Sequence, residues 1–290
     1  MSGIVSTPGG ALLGVVRVPP DKSISHRSII FGAIADGVTK VSNLLEGEDV
    51  LATVEAFRNL GVAIDGPEAG NMTISGVGKN GLEAAGCELD LGNSGTSMRL
   101  LSGLLAGQRF SSRLTGDASL KRRPMTRVVE PLTKMGARIA ASDGHPPLDI
   151  LGAARLHGIE YRLPMASAQV KSALLLAGLY ASGQTIVDEP TKTRDHTERM
   201  LAGFAGATWN PTGPVRINSQ IELTGQTLAV PGDISSGAFL LVAATLRQGS
   251  DVLLSGVGVN PTRSAVLEIL RLMGADIERS RERIESNEPV

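Results

Sequence analysis

Two kinds of apolar run alternate along the chain. SIIFGAIA, SALLLAGLYA and GAFLLVAATL are apolar nearly all round, whereas VLATVEAFRNL, HTERMLAGF and SAVLEILRLM carry one apolar stripe at helical spacing. The first kind predicts a buried helix wrapped by other elements, and the second a helix laid against the outside of that layer. Short segments such as TKVSNL and QTIVDE alternate Val and Ile with polar residues, which predicts strands. Ser, Asp or Asn opens the helical runs and Gly closes them, as start and stop signals should.

This order of elements recurs. Segments Asp21–Ile64, Gly92–Ile139, Ala166–Trp209 and Gly232–Ile277 align with one another, and their starts fall about 70 residues apart, longer than common solenoid periods. Each predicts a polar opening, a buried helix, a strand, a capped outer helix, then Gly and a further strand. The fold class is α+β, with sheets outside a helical core.

Composition narrows the function. At 290 residues, 42% hydrophobic and 20% charged, the chain reads as one or two ordinary globular domains. No apolar run approaches the roughly 18 to 20 residues of a membrane span, and MSGIVSTPGG lacks the basic-then-apolar order of an export signal, so a cytoplasmic protein off the membrane is expected. The one cysteine, Cys87, reads as a small packed residue. Four scattered histidines without metal-ligand spacing predict no metal. A formal charge of -1 and 3% aromatic content argue against nucleic acid as a partner.

The charge that matters is local. The opening turns of the buried helices carry Lys22, Ser23 and Arg27, then Asn93, Ser94, Gly95, Thr96 and Arg99, then Ser167, Gln169 and Lys171. Outer-helix starts carry Asp49, the Arg122-Arg123-Pro124 turn and Arg194-Asp195. Packed about a common axis, these openings face one cleft and offer unpaired N–H groups, Lys and Arg to a small, multiply charged anion. Each residue also has a plainer use: Ser23, Asn93 and Ser167 as helix caps, Lys22, Arg27 and Arg123 as solvated charge, Arg194 as an ion-pair partner of Asp195, His26 as a structural neighbour.

DKSISHR, LGNSGTSMR, GDASLKRRPM, SAQVKSALLLAGL and PGDISSGAFLLVAA, in that order over essentially the whole chain, resemble the 5-enolpyruvylshikimate-3-phosphate synthase family. The resemblance implies the enolpyruvyl transferase fold, two domains of three βαβαββ-type repeats with the site between them. It implies transfer of the enolpyruvyl group from phosphoenolpyruvate to the 5-hydroxyl of shikimate 3-phosphate, without metal or cofactor. It places Lys22 at both substrates and on the catalytic path; Ser23, Arg27, Ser167, Ala168, Gln169 and Arg194 at shikimate 3-phosphate; and Asn93, Gly95, Arg123 and Gln169 at phosphoenolpyruvate. The first motif has Lys22-Ser23 where the related UDP-N-acetylglucosamine transferases have Lys-Asn, and SLKRR lacks their reactive cysteine, so that reading ranks low. A related RNA 3′-phosphate cyclase fits poorly without a basic surface.

Two departures carry expectations. The chain holds four repeats where the family has six, so residues 20–230 should form a complete domain, and 1–19 with 231–290 an incomplete one. The family's catalytic carboxylates then have no matched position here, which predicts that this chain alone is inactive, needs a second polypeptide, or only binds substrate, and that apolar surface is exposed. Leu100 stands where many members have Pro, which predicts weaker inhibition by glyphosate, an occupant of the phosphoenolpyruvate site.

Overall fold

The Asp21 carboxylate accepts the Ile24 amide at 2.9 Å and starts the first helix one residue after the Pro19-Pro20 lead-in. It, not Ser23, is the cap, and Ser23 is left available for other partners. In the computed structural model, which describes residues 9–207 and 213–290, strand β1 (Leu13–Val16) precedes this helix, α1 (Lys22–Ile34). Every α1 residue from Ile24 to Ile34 is buried, as the all-round apolar pattern predicts. The first repeat continues with β2 (Asp36–Ser42), α2 (Glu48–Asn59), β3 (Ala63–Glu68) and β4 (Asn71–Val77).

The second repeat has β5 (Leu89–Asp90), α3 (Gly95–Ala106), β6 (Ser112–Thr115), a 3-10 turn at Leu120–Arg122, α4 (Thr126–Lys134), β7 (Arg138–Ser142) and β8 (His145–Leu151). The third has β9 (Glu160–Arg162), α5 (Ala168–Gly178), β10 (Gln184–Asp188), α6 (His196–Phe204) and β11 (Val215–Asn218). Three sheets form, ordered β5-β6-β8-β7, β9-β10-β11 and, once the chain has returned through β12 (Thr227–Ala229), β12-β2-β4-β3. The β12 strand runs parallel to β2, pairing Leu228 with Val41, so the sheet of the first repeat is completed from the far end of the third.

Helices α1, α3 and α5 lie inside these sheets. The closest approach is at Gly103 of α3, where a Cβ would come within 2.0 Å of the Ala173 carbonyl of α5; only glycine lets the two backbones meet. The Phe31 ring on α1 packs 5.8 Å from that of Phe204 on α6. One continuous core runs from Ile24 to Val230.

A second, small core gathers Val18, Ile234, Val257 and Leu267. It belongs to α7 (Ile234–Thr245), β13 (Asp251–Leu254), which pairs in parallel with β1, and α8 (Ala265–Leu272). The chain passes between the two cores side by side: Asp21 N–H donates to the Pro231 carbonyl and Asp233 N–H to that of Pro19, both at 2.8 Å. A hairpin of β14 (Ile284–Glu285) and β15 (Glu288–Pro289) ends the chain.

Several expectations are corrected. Helix α7 is not buried as a whole: only Ile234 and Gly237 are fully covered, Leu240 and Leu241 are partly so, and Phe239 is 81% exposed, because β13 and β1 form a sheet of two strands with little to wrap the helix. Cys87 is exposed rather than packed. The charged terminal segment folds back, burying Glu288. Trp209 and the first eight residues of the expected incomplete domain lie outside the described residues. Among the described residues no helix is long and apolar enough to cross a membrane.

Candidate active site

Two groups of polar side chains gather at the helix openings. In the first, Arg27 is 3% exposed and uses three of its five N–H donors: Nη1 donates to the Ser23 carbonyl at 2.8 Å, Nη2 to Ser172 Oγ at 2.9 Å and Nε to Thr197 Oγ1 at 2.7 Å. Burial lowers its guanidinium to about 10, opposed by the charge of Glu198. Arg194 comes to the same place from the loop before α6, its Nη1 donating to Ser23 Oγ at 3.3 Å. Partial burial, then the like charge of Arg263, lowers the Arg194 guanidinium as well. Arg263 is held by Asp233 at 3.1 Å, so the second core supplies one wall of this region. Two guanidiniums against one serine are placed to receive a dianion.

The second group surrounds the opening of α3. Ser94, rather than Asn93, caps this helix. The Asn93 side chain donates to Asp117 Oδ2 at 2.8 Å and accepts from Arg123 Nη2. The Asp117 carboxyl is held below its ordinary range, first by the Leu120 amide and then by Asn93. A Cβ on Gly95 would meet Nη1 of both Arg123 and Arg99 at 2.8 Å. Arg99 Nη1 donates to the Gly95 carbonyl at 2.9 Å and to Gln169 Oε1 at 3.1 Å, and Gln169 Nε2 donates to Thr96 Oγ1 at 3.0 Å. Burial first, then repulsion from Arg123 and Arg127, lowers the Arg99 guanidinium. Arginine side chains crowded against a glycine opening leave little room except for a small anion lying on the backbone.

Lys22, on the first turn of α1, is half-exposed and ion-paired with Asp49 at the start of α2. Ser167 caps α5 through the Val170 amide at 3.4 Å, and Ala168, next to it, is buried. A chain of hydroxyls ties the groups together: His26 Nδ1 lies 2.9 Å from Thr53 Oγ1 and 3.2 Å from Ser97 Oγ, linking α1, α2 and α3. Burial pushes the imidazole down to about 3, with Lys22 and Arg27 adding to it, so His26 is neutral and structural.

Among the residues singled out in the sequence, Lys171 joins neither group: it is fully buried between Glu189 and Glu198. Arg194 does not pair with Asp195, which bonds Arg199 at 3.0 Å and Asn260 at 2.7 Å. Ser172, Thr197 and Arg263 escaped the sequence-derived set; the hydroxyls sat in helical runs where they read as filler.

The sequence matches, over residues 6–290, the family profile described as EPSP synthase (3-phosphoshikimate 1-carboxyvinyltransferase). It is 60% identical over 284 residues to the 3-phosphoshikimate 1-carboxyvinyltransferase of Alkalilimnicola ehrlichii, covering 98% of this chain and 64% of that one. It is 59% identical to the enzyme of that name from Methylococcus capsulatus, covering 98% and 65%. The solved EPSP synthase of Acinetobacter baumannii superposes with a TM-score of 0.90 at 54% identity, over 97% of this chain and 64% of that one. The chain thus spans about two thirds of the length of these relatives, and by profile, identity and fold together it belongs to the EPSP synthase family.

Proposed function

We propose that this chain supplies the substrate-holding part of a 3-phosphoshikimate 1-carboxyvinyltransferase. The observation that carries the reading is the convergence of Arg27 and Arg194 on Ser23, beside the Gly95 opening ringed by Arg99 and Arg123. Shikimate 3-phosphate places its phosphate dianion at Ser23, Arg27 and Arg194 and lies along Ser167, Ala168 and Gln169. Phosphoenolpyruvate lies on Asn93, Gly95, Arg123 and Gln169, with Lys22 reaching both. In the reaction the enolpyruvyl methylene takes a proton, the 5-hydroxyl adds to the cationic carbon and gives up its own proton, and the tetrahedral intermediate loses phosphate together with a methyl proton, which restores the carbon–carbon double bond. Fixed positive charge favours the charge that develops on this path.

The reading divides the chain into residues 20–230, and 1–19 with 231–290, and places it in the cytoplasm. The bare faces of α7, β1 and β13 support a second polypeptide, carrying the length that the relatives have in addition, as partner for turnover. Leu100 lies in the helix that opens at Gly95, so a leucine where many family members have proline is the ground for weaker inhibition by glyphosate, to be compared with Leu100→Pro in an active assembly.

Calorimetry with shikimate 3-phosphate tests the proposal. Saturable binding by residues 1–290, lost in Arg27→Ala, is expected, with no steady-state product from this chain alone. Failure to bind, or turnover by the purified chain, overturns the corresponding part.

A further inference from the structure

Lys171 follows Gln169 by two residues, yet its side chain is 0% exposed. Its ammonium donates to Glu189 Oε2 at 2.8 Å and lies 2.6 Å from Glu198 Oε1. One cation against two carboxylates leaves a surplus negative charge where unpaired ions are costly. That charge acts on Arg27: among the charges that bear on its guanidinium Glu198 is the foremost. The geometry repeats the link. Ser172, next to Lys171, and Thr197, next to Glu198, sit 2.6 Å apart and together accept two of the Arg27 donors. The other carboxylate works on the other guanidinium: Glu189 Oε1 accepts the Thr193 amide at 3.3 Å and the Thr193 hydroxyl, fixing the residue before Arg194.

We propose that Lys171, Glu189 and Glu198 form a buried positioning triad that presents Arg27 and Arg194, already aligned, to a phosphate monoester, and does so without touching it. The identity of that phosphate rests on the function proposed above; the action on the two arginines does not.

Two measurements on residues 1–290 test this. The first is hydrogen exchange of the Arg27 Nε–H by NMR without ligand, and the second is the Kd for shikimate 3-phosphate. Glu198→Gln keeps the shape and a bond to Lys171 but removes the charge. Positioning predicts Arg27 Nε–H exchange about tenfold faster and binding about tenfold weaker. A purely electrostatic role predicts the opposite for binding, because the variant is one charge more positive beside a dianion. Lys171→Met should weaken binding alike, and the double variant no further, since both act through one link. If Lys171→Met does not fold, Glu198→Gln decides alone. Unchanged Arg27 exchange together with binding within twofold of the unaltered chain, or tighter, overturns the triad. Absence of binding by the unaltered chain, with faster exchange in Glu198→Gln, overturns only the choice of ligand.

Discussion

His196 Nδ1 and Glu288 Oε1 lie 2.7 Å apart, both 2% exposed, and join the first turn of α6 to the hairpin that ends the chain. Asn260 completes the junction by donating from Nδ2 both to Glu288 Oε2 at 2.9 Å and to Asp195 Oδ1 at 2.7 Å. Three chain segments therefore meet in one buried polar cluster beside Arg194.

Glu288→Ala should cost about 3 kcal/mol, because it strips the partner from a buried imidazole and from one of the bonds of a buried amide. Urea unfolding measures the loss. Hydrogen exchange locates it: the Val290 amide, which donates to the Arg283 carbonyl at 2.8 Å, should exchange faster in the variant. A stability within 0.5 kcal/mol of the parent, a difference typical of ordinary surface substitutions, would show that the junction is dispensable.

His26 sets a pH dependence of known sign. Its folded-state pKa of about 3 lies below the ordinary 6.5, so the unfolded chain binds a proton that the folded chain refuses. Stability is intact above pH 6.5 and falls as the pH drops toward 3, by about 1.4 kcal/mol per pH unit once well below 6.5. Between pH 7 and 4.5 the histidine alone should remove about 2 to 3 kcal/mol. His26→Gln removes that contribution, so the difference between parent and variant, followed by urea unfolding over this range, should shrink or change sign as acid is added. A constant difference would place the proton elsewhere.

Gly95→Ala separates folding from binding. Gly95 is the first residue of α3 and has no positive φ, so alanine suits the backbone and stability should hold or improve by up to about 1 kcal/mol. Its methyl, however, would stand 2.8 Å from the Arg99 and Arg123 guanidiniums, and these must move. Phosphoenolpyruvate binding should weaken about tenfold while thermal unfolding is unchanged or later. Undiminished binding would remove Gly95 from the proposed site.

The repeat made much of this legible. SIIFGAIA and SALLLAGLYA are buried helices because their apolar residues point in every direction, and polar residues at the openings of α1, α3 and α5 meet through hydrogen bonds such as Arg27 to Ser172 and Gln169 to Thr96. The same reasoning misplaced Lys171, since a charged residue one turn into such a helix reads as part of the opening when its two carboxylate partners are 18 and 27 residues away. It also misassigned two caps: Asp21 and Ser94 do that work, while Ser23 serves Arg194 of the third repeat and Asn93 serves Arg123 from the far part of its own repeat. Pairings between segments distant along the chain depend on how those segments pack, which a local pattern does not carry.

The bare face is the last consequence. GAFLLVAATL has the composition of a buried helix, but Phe239 and Leu246 are 81% and 76% exposed, and Leu13, Val15 and Leu253 on β1 and β13 are exposed too. Each large side chain stabilises a contact by about 1.5 to 3 kcal/mol when fully covered, so such a surface should associate with itself when no other partner is present. Sedimentation velocity of residues 1–290 is expected to show concentration-dependent association, reduced in the Phe239→Ser, Leu246→Ser double variant. Affinity for shikimate 3-phosphate should be unchanged in the same variant, because neither side chain is among the contacts of Ser23, Arg27 or Arg194. Self-association that survives both substitutions would move the interface away from α7.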